Sequence, residues 1–167
     1  MDRVKQGKGH WERQVLSGLA DPMWFAERIQ RLAAPFRDKD IHLVAAFEAL
    51  GFPFGAAVAL QLNAGLILVR KLYDGDDLAG YESELIMDYS DQPKAFRVLA
   101  STIFDASRVL IIDDYLETGG QLRAADTLLR RLGADVIGAA FLGRACYAGL
   151  DTSFFSGILH ECSQNEK

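Results

Sequence analysis

Val109 to Gln121 reads VLIIDDYLETGGQ. Its opening run, Val109 to Ile112, has no polar interruption, which describes a strand buried on both faces. Two consecutive carboxylates, Asp113 and Asp114, follow the strand, and Thr118, Gly119 and Gly120 open the next element. Small residues at a helix N-terminus leave backbone N–H groups uncovered where the dipole is positive, so a phosphate can be held there without a lysine. The Thr118 hydroxyl adds a donor. Asp113 and Asp114 would repel an anion unless sugar hydroxyls or a hydrated divalent cation lay between them. The structural alternative is an acid pair that caps a turn and a glycine pair that ends a strand. Strand, acid pair and TGG in one run weigh against it.

Working outward, Leu122, Ala125, Leu128, Leu129 and Leu132 form a helical stripe that stops at Gly133, and Val136 to Leu142 reads as the next strand. Upstream, Asp21-Pro22 opens a helix carrying Phe25, Ile29, Leu32 and Phe36. Ile41 to Phe47 is a second buried strand; Gly51 and Gly55 break the pattern before a helical stretch, Ala56 to Leu62; Leu66 to Val69 is a third strand. Leu72 to Gly80 is acidic and glycine-containing, an exposed flexible loop. Tyr81 to Tyr89 is ambiguous, a short strand being one option. Phe96, Leu99, Ala100 and Ile103 predict a helix over Lys94 to Ile103, completing a second crossover. Alternating buried strands and helices predict an α/β fold, an open, mostly parallel sheet with helices on both faces. Ligands in such sheets sit at the carboxyl ends of strands.

Half of the 167 residues are hydrophobic and a quarter charged, which fits one soluble domain with a substantial core. We expect a polar, flexible tail over residues 1–10, a phosphate-binding domain over 11–162, and a similar tail from Ser163 to Lys167. The net charge of -5 disfavours general attraction to nucleic acid or an anionic membrane, so any anion must be bound locally. Cys146 and Cys162 lack metal-ligand spacing, which argues against zinc and for a reducing compartment; no apolar leader or membrane span is evident, so a cytoplasmic location is expected. His10, His42 and His160 show no ligand or triad spacing and receive no role. Tyr73 and Tyr81 flank the acidic loop, as hinge anchors or as ordinary exposed tyrosines.

The DDYLETGG segment closely resembles the phosphoribosyl pyrophosphate (PRPP) motif of type I phosphoribosyltransferases, and the surroundings are most similar to the adenine branch of that family. RQVLSGLADP at 13–22 resembles the family's RDITPLL segment, FEALGFPFG at 47–55 its EARGFIFG, LVRK at 68–71 its VRK, and MDYS at 87–90 its LEYG. The resemblance implies a homodimeric, magnesium-dependent enzyme in which a purine displaces pyrophosphate from C1 of PRPP. It implies that Asp113 and Asp114 hold the ribose hydroxyls and meet Mg²⁺ only through substrate or water. Glu117, Thr118, Gly119, Gly120 and Gln121 would cradle the 5'-phosphate. Glu48, Ala49, Leu50 and Gly51 would form the pyrophosphate loop, with Arg70 and Lys71 neutralising the leaving group. Asp88 falls where the adenine enzymes carry a glutamate near the reacting centre, and Arg13 where they carry a base-contacting arginine.

The match has gaps. Leu50 replaces an arginine of the pyrophosphate loop, and loss of such a charge-assisted donor forfeits on the order of 1.5–3 kcal/mol. The normally basic flexible loop is acidic here, so Asp74, Asp76 and Asp77 would face pyrophosphate with the wrong sign. Asp88 is one methylene shorter than the family residue. Glu117 stands where the adenine enzymes have alanine but the 6-oxopurine enzymes have an acid that meets the purine N7 proton; it serves the base or merely favours a helix start. Glu12 replaces the aromatic that precedes Arg13, and Arg13 is a base contact or a surface residue. Trp11, Trp24 and Phe25 read as core or interface, with base stacking the lesser option. Adenine is the first base expected. A 6-oxopurine or other heterocycle is the alternative within the enzyme class, and a noncatalytic PRPP- or nucleotide-binding regulator the alternative outside it.

Overall fold

The computed structural model describes residues 2–87, 93–144, 152, 153 and 155–162. Helix α1 spans Asp2–Leu19 and α2 spans Pro22–Ala33. Asp21 separates them as a cap, its carboxylate accepting from the N–H groups of Met23 (2.9 Å) and Trp24 (3.3 Å), with Pro22 in the first helical turn. Such a cap stabilises by about 1 kcal/mol. Because α1 starts at Asp2, the helix runs through the boundary expected between residues 10 and 11.

Strand β1 (Leu43–Phe47) leads into α3 (Gly51–Leu62), then β2 (Gly65–Lys71), the hairpin β3 (Tyr81–Met87) and β4 (Pro93–Leu99), β5 (Arg108–Leu116), α4 (Gly120–Arg131), β6 (Asp135–Arg144) and β7 (Ile158–Glu161). Among the described residues the sheet order is β3-β4-β2-β1-β5-β6-β7. Strands β2, β1, β5, β6 and β7 are parallel, while β4 runs antiparallel to β2 and β3 to β4. The expected mostly parallel sheet is present.

Apolar residues alternate between two cores, which explains the uninterrupted apolar runs. Leu43, Ala45, Phe47, Val109 and Ile111 face α4 through Leu122, Ala125, Leu128 and Leu129. Val44, Leu110 and Ile112 face Val15 of α1, Leu32 of α2, and Phe54 and Val58 of α3. Gly55 lies inside α3 rather than before it, because a Cβ there would come 2.3 Å from that of Ala46; the glycine lets α3 lie close on β1.

The helix expected over Lys94 to Ile103 is β4 followed by a 3-10 turn, Ala100–Thr102. The spacing of Phe96, Leu99, Ala100 and Ile103 fits a helix, but Phe96 and Val98 bury one strand face and the backbone pairs along all of β3. Tertiary pairing overrides local period here. Arg131 at the end of α4 ties the hairpin down, donating to the Glu84 carboxylate and the Ser83 carbonyl. The chain from β2 to β5 is therefore a hairpin, not a helical crossover.

Candidate active site

Parallel β1 and β5 are central neighbours, so the loops leaving them meet at the carboxyl ends of the strands. Helices α3 and α4 start directly from those loops and bring their positive N-terminal ends to the same place. Gly51 makes the approach possible: a Cβ there would lie 3.0 Å from Asp113 Oδ1 and 3.2 Å from the Ile112 carbonyl. Gly119 adopts φ 87°, a left-handed turn that suits glycine, and so aims α4.

A cavity of about 230 Å³ lies between these ends. Of the residues expected at the site, Glu48, Ala49, Leu50, Lys71, Asp113, Asp114, Glu117 and Gln121 line it. Gly51, Thr118, Gly119 and Gly120 stand just behind that lining in the two helix starts, and the Thr118 hydroxyl accepts from the Gly120 N–H at 3.4 Å. Asp88 lies outside the described residues.

Asp113 is only 5% exposed, and its Oδ1 accepts from the Asp114 N–H at 2.9 Å. Asp114 Oδ2 accepts from the indole N–H of Trp11, also at 2.9 Å. Glu48 is consumed by internal contacts: it accepts from the Lys71 N–H (3.2 Å) and the Tyr73 hydroxyl (3.0 Å), with Arg70 Nε at 3.5 Å. It anchors the loop to the end of β2, and the Glu48–Ala49 peptide is cis. The bond to Glu48 also pushes the Tyr73 phenol above its ordinary pKa. Arg70 itself is exposed and does not line the cavity.

Two expectations change here. Arg13 is exposed and outside the cavity lining, whereas Trp11 and Glu12 line it. Residues two apart on a helix point about 200° apart, so the turn of α1 that sends Trp11 and the fully buried Val15 inward sends Arg13 away. The acidic loop is likewise occupied with its own structure. Asp76 accepts from the Tyr73 N–H and from Arg97, both at 2.9 Å, and Asp77 accepts from the Ala79 N–H at 2.9 Å. Buried Arg97 also donates to the Asp77 carbonyl at 3.0 Å and stacks over Tyr81 at 4.8 Å. Sequence reasoning allowed Trp11 base stacking only as its lesser option and did not single out Tyr115, yet both line the cavity; the one available signal was an aromatic two positions before Arg13.

The profile of the phosphoribosyl transferase domain family matches residues 19–153. The adenine phosphoribosyltransferase of Dinoroseobacter shibae is 40% identical over 133 residues, covering 78% of this chain and 71% of that protein. The corresponding protein of Pectobacterium atrosepticum is 41% identical over 133 residues, covering 78% and 69%. Among solved structures, adenine phosphoribosyltransferase from Thermoanaerobacter pseudethanolicus superposes with a TM-score of 0.79 at 28% identity, covering 87% of this chain and 83% of that one. The Saccharomyces cerevisiae enzyme, solved with an imino-altritol bisphosphate and adenine, gives 0.76 at 25% identity over 88% and 84%. With two helix N-termini converging on an acid pair at the end of β5, and with these matches over most of its length, the chain belongs to the phosphoribosyltransferase family of pentosyltransferases.

Proposed function

We propose that this chain transfers the phosphoribosyl group of PRPP to adenine and releases pyrophosphate, with residues 11–162 as the catalytic unit. The observation that carries the reading is the acid pair Asp113-Asp114 held between the N-termini of α3 and α4. The relatives named as adenine phosphoribosyltransferases support the base. In the reaction the C1–oxygen bond to pyrophosphate breaks, the N9 lone pair of the base bonds to C1, and the ring proton carried on N7 of the reacting tautomer is lost.

Asp113 and Asp114 accept from the ribose hydroxyls. The N–H groups of Thr118, Gly119 and Gly120 take the 5'-phosphate, and those at the start of α3 take the pyrophosphate. Lys71 offsets negative charge on the leaving group. Glu117 lines the same cavity, and in this reading its carboxylate accepts the N7 proton of the base. Among the described residues no cluster of three ligands holds a metal by itself. A lining with Glu12, Glu48, Asp113, Asp114 and Glu117 against Lys71 fits an anionic substrate that carries Mg²⁺ with it. The ion, when bound, withdraws charge from the departing pyrophosphate.

We further propose a homodimer in the cytoplasm. Leu60 of α3 is 84% exposed, and Leu66 and Leu68 of β2 are exposed on the sheet face that carries α3, apolar surface that a second copy would cover. No helix of the described residues is long and apolar enough to cross a membrane.

Leu50 in the cavity wall favours a second reading, PRPP binding without turnover. Incubation with PRPP, Mg²⁺ and a pool of adenine, hypoxanthine, guanine and xanthine tests both, with products read by mass. AMP alone is expected. IMP, GMP or XMP would shift the acceptor to a 6-oxopurine, and PRPP binding with no product would make the protein a sensor.

A further inference from the structure

The phosphoribosyl reading gives Trp11 no task, yet its surroundings are built for it. The indole N–H donates to Asp114 Oδ2 at 2.9 Å, across 103 residues of chain. The ring lies on Tyr115 with centroids 5.0 Å apart. Tyr115 pairs with Gly143 on β6, and a Cβ at Gly143 would come 2.7 Å from the indole, so the missing side chain is the slot that the ring fills.

We propose that Trp11 is a positioning residue of the phosphoribosyl site, holding the Asp114 carboxylate in the orientation that the ribose hydroxyls meet. The inference rests on the function proposed above. Asp114 is half-buried at the end of β5, and its backbone is fixed through the bond to Asp113. Its carboxylate still needs a partner to select one rotamer, and ordering it before substrate arrives lowers the cost of binding. An indole suits this task because it is neutral: it occupies one of about four acceptor sites and leaves the full negative charge for the sugar. A lysine or arginine there would compete with the cation that accompanies PRPP. Docking of α1 and readiness of the ribose subsite thus become one event.

Trp11→Phe keeps an aromatic ring and removes the N–H together with the pyrrole part of the indole. Kd and KM for PRPP with Mg²⁺ are expected to rise about five- to twentyfold, while KM for adenine and the thermal midpoint stay close to those of the wild type. In an Asp114→Ala background the same change adds less than about twofold, because the N–H then has no side-chain acceptor to hold. Gly143→Ala, which displaces the ring from behind, reproduces the PRPP defect. Unchanged PRPP affinity in Trp11→Phe, or equal losses in both backgrounds, overturns the assignment and leaves the phosphoribosyl reading standing. A wild-type protein that binds no PRPP removes both.

Discussion

Asp113 and Asp114 are adjacent in sequence but sit in different surroundings, one buried at the end of β5 and the other half-buried under the indole of Trp11. Asp113→Asn combined with Asp114→Asn keeps the shape and removes both charges, so calorimetry should show no PRPP binding while circular dichroism stays native. Glu117→Ala tests the base end. If Glu117 meets N7, kcat falls about a hundredfold with PRPP affinity unchanged; an unaltered kcat would hand that role to Asp88. Leu50 invites a gain of function. It lines the cavity at the start of α3, so Leu50→Arg adds a charge-assisted donor for pyrophosphate and should lower KM for PRPP on the order of tenfold.

At the scale of elements, the segment between β2 and β3 holds itself to the body through Arg97. That buried guanidinium engages the Asp76 carboxylate, the Asp77 carbonyl and the face of Tyr81. Arg97→Ala leaves Asp76 without this partner and should cost roughly 2–3 kcal/mol, below the range for a fully buried pair because Asp76 is still partly exposed. Limited proteolysis should then cut within 72–80 faster than in the wild type. Resistance equal to the wild type would show that Arg97 does not hold the loop. Tyr73 adds a pH dependence. Its phenol, raised above 10 mainly by the bond to Glu48, holds that contact fully below its unfolded pKa and loses it as pH rises through the folded one. Tyr73→Phe should abolish any alkaline change in loop protection.

At the scale of the molecule, Leu60, Leu66 and Leu68 are exposed apolar residues, and the homodimer proposed above would cover them. The wild type is expected to sediment as a dimer and Leu68→Asp as a monomer; a monomeric wild type would overturn the dimer, and a dimeric variant would place the interface elsewhere. Much of this architecture was legible beforehand. Strands β1, β5 and β6 announced themselves as apolar runs because strands buried on both faces leave no polar position, whereas the apolar run of β2 buries only Ile67 and Val69 and leaves Leu66 and Leu68 exposed. The acid pair and TGG also carried their own chemistry, since a strand end, two carboxylates and a glycine turn are all local features. Strand β4 was hidden because its apolar spacing also fits a helix, and only pairing with β3 decides between them. The sequence by itself determined the parallel core and the glycine-opened start of α4. Only the tertiary structure decided that α1 turns Trp11 rather than Arg13 to the cavity, that Glu48 is spent on β2 and Tyr73, and that Arg97 answers the acidic loop. These contacts join residues 20 to 103 positions apart. Helix phase and sheet register bring them together, and no local pattern of residues encodes either.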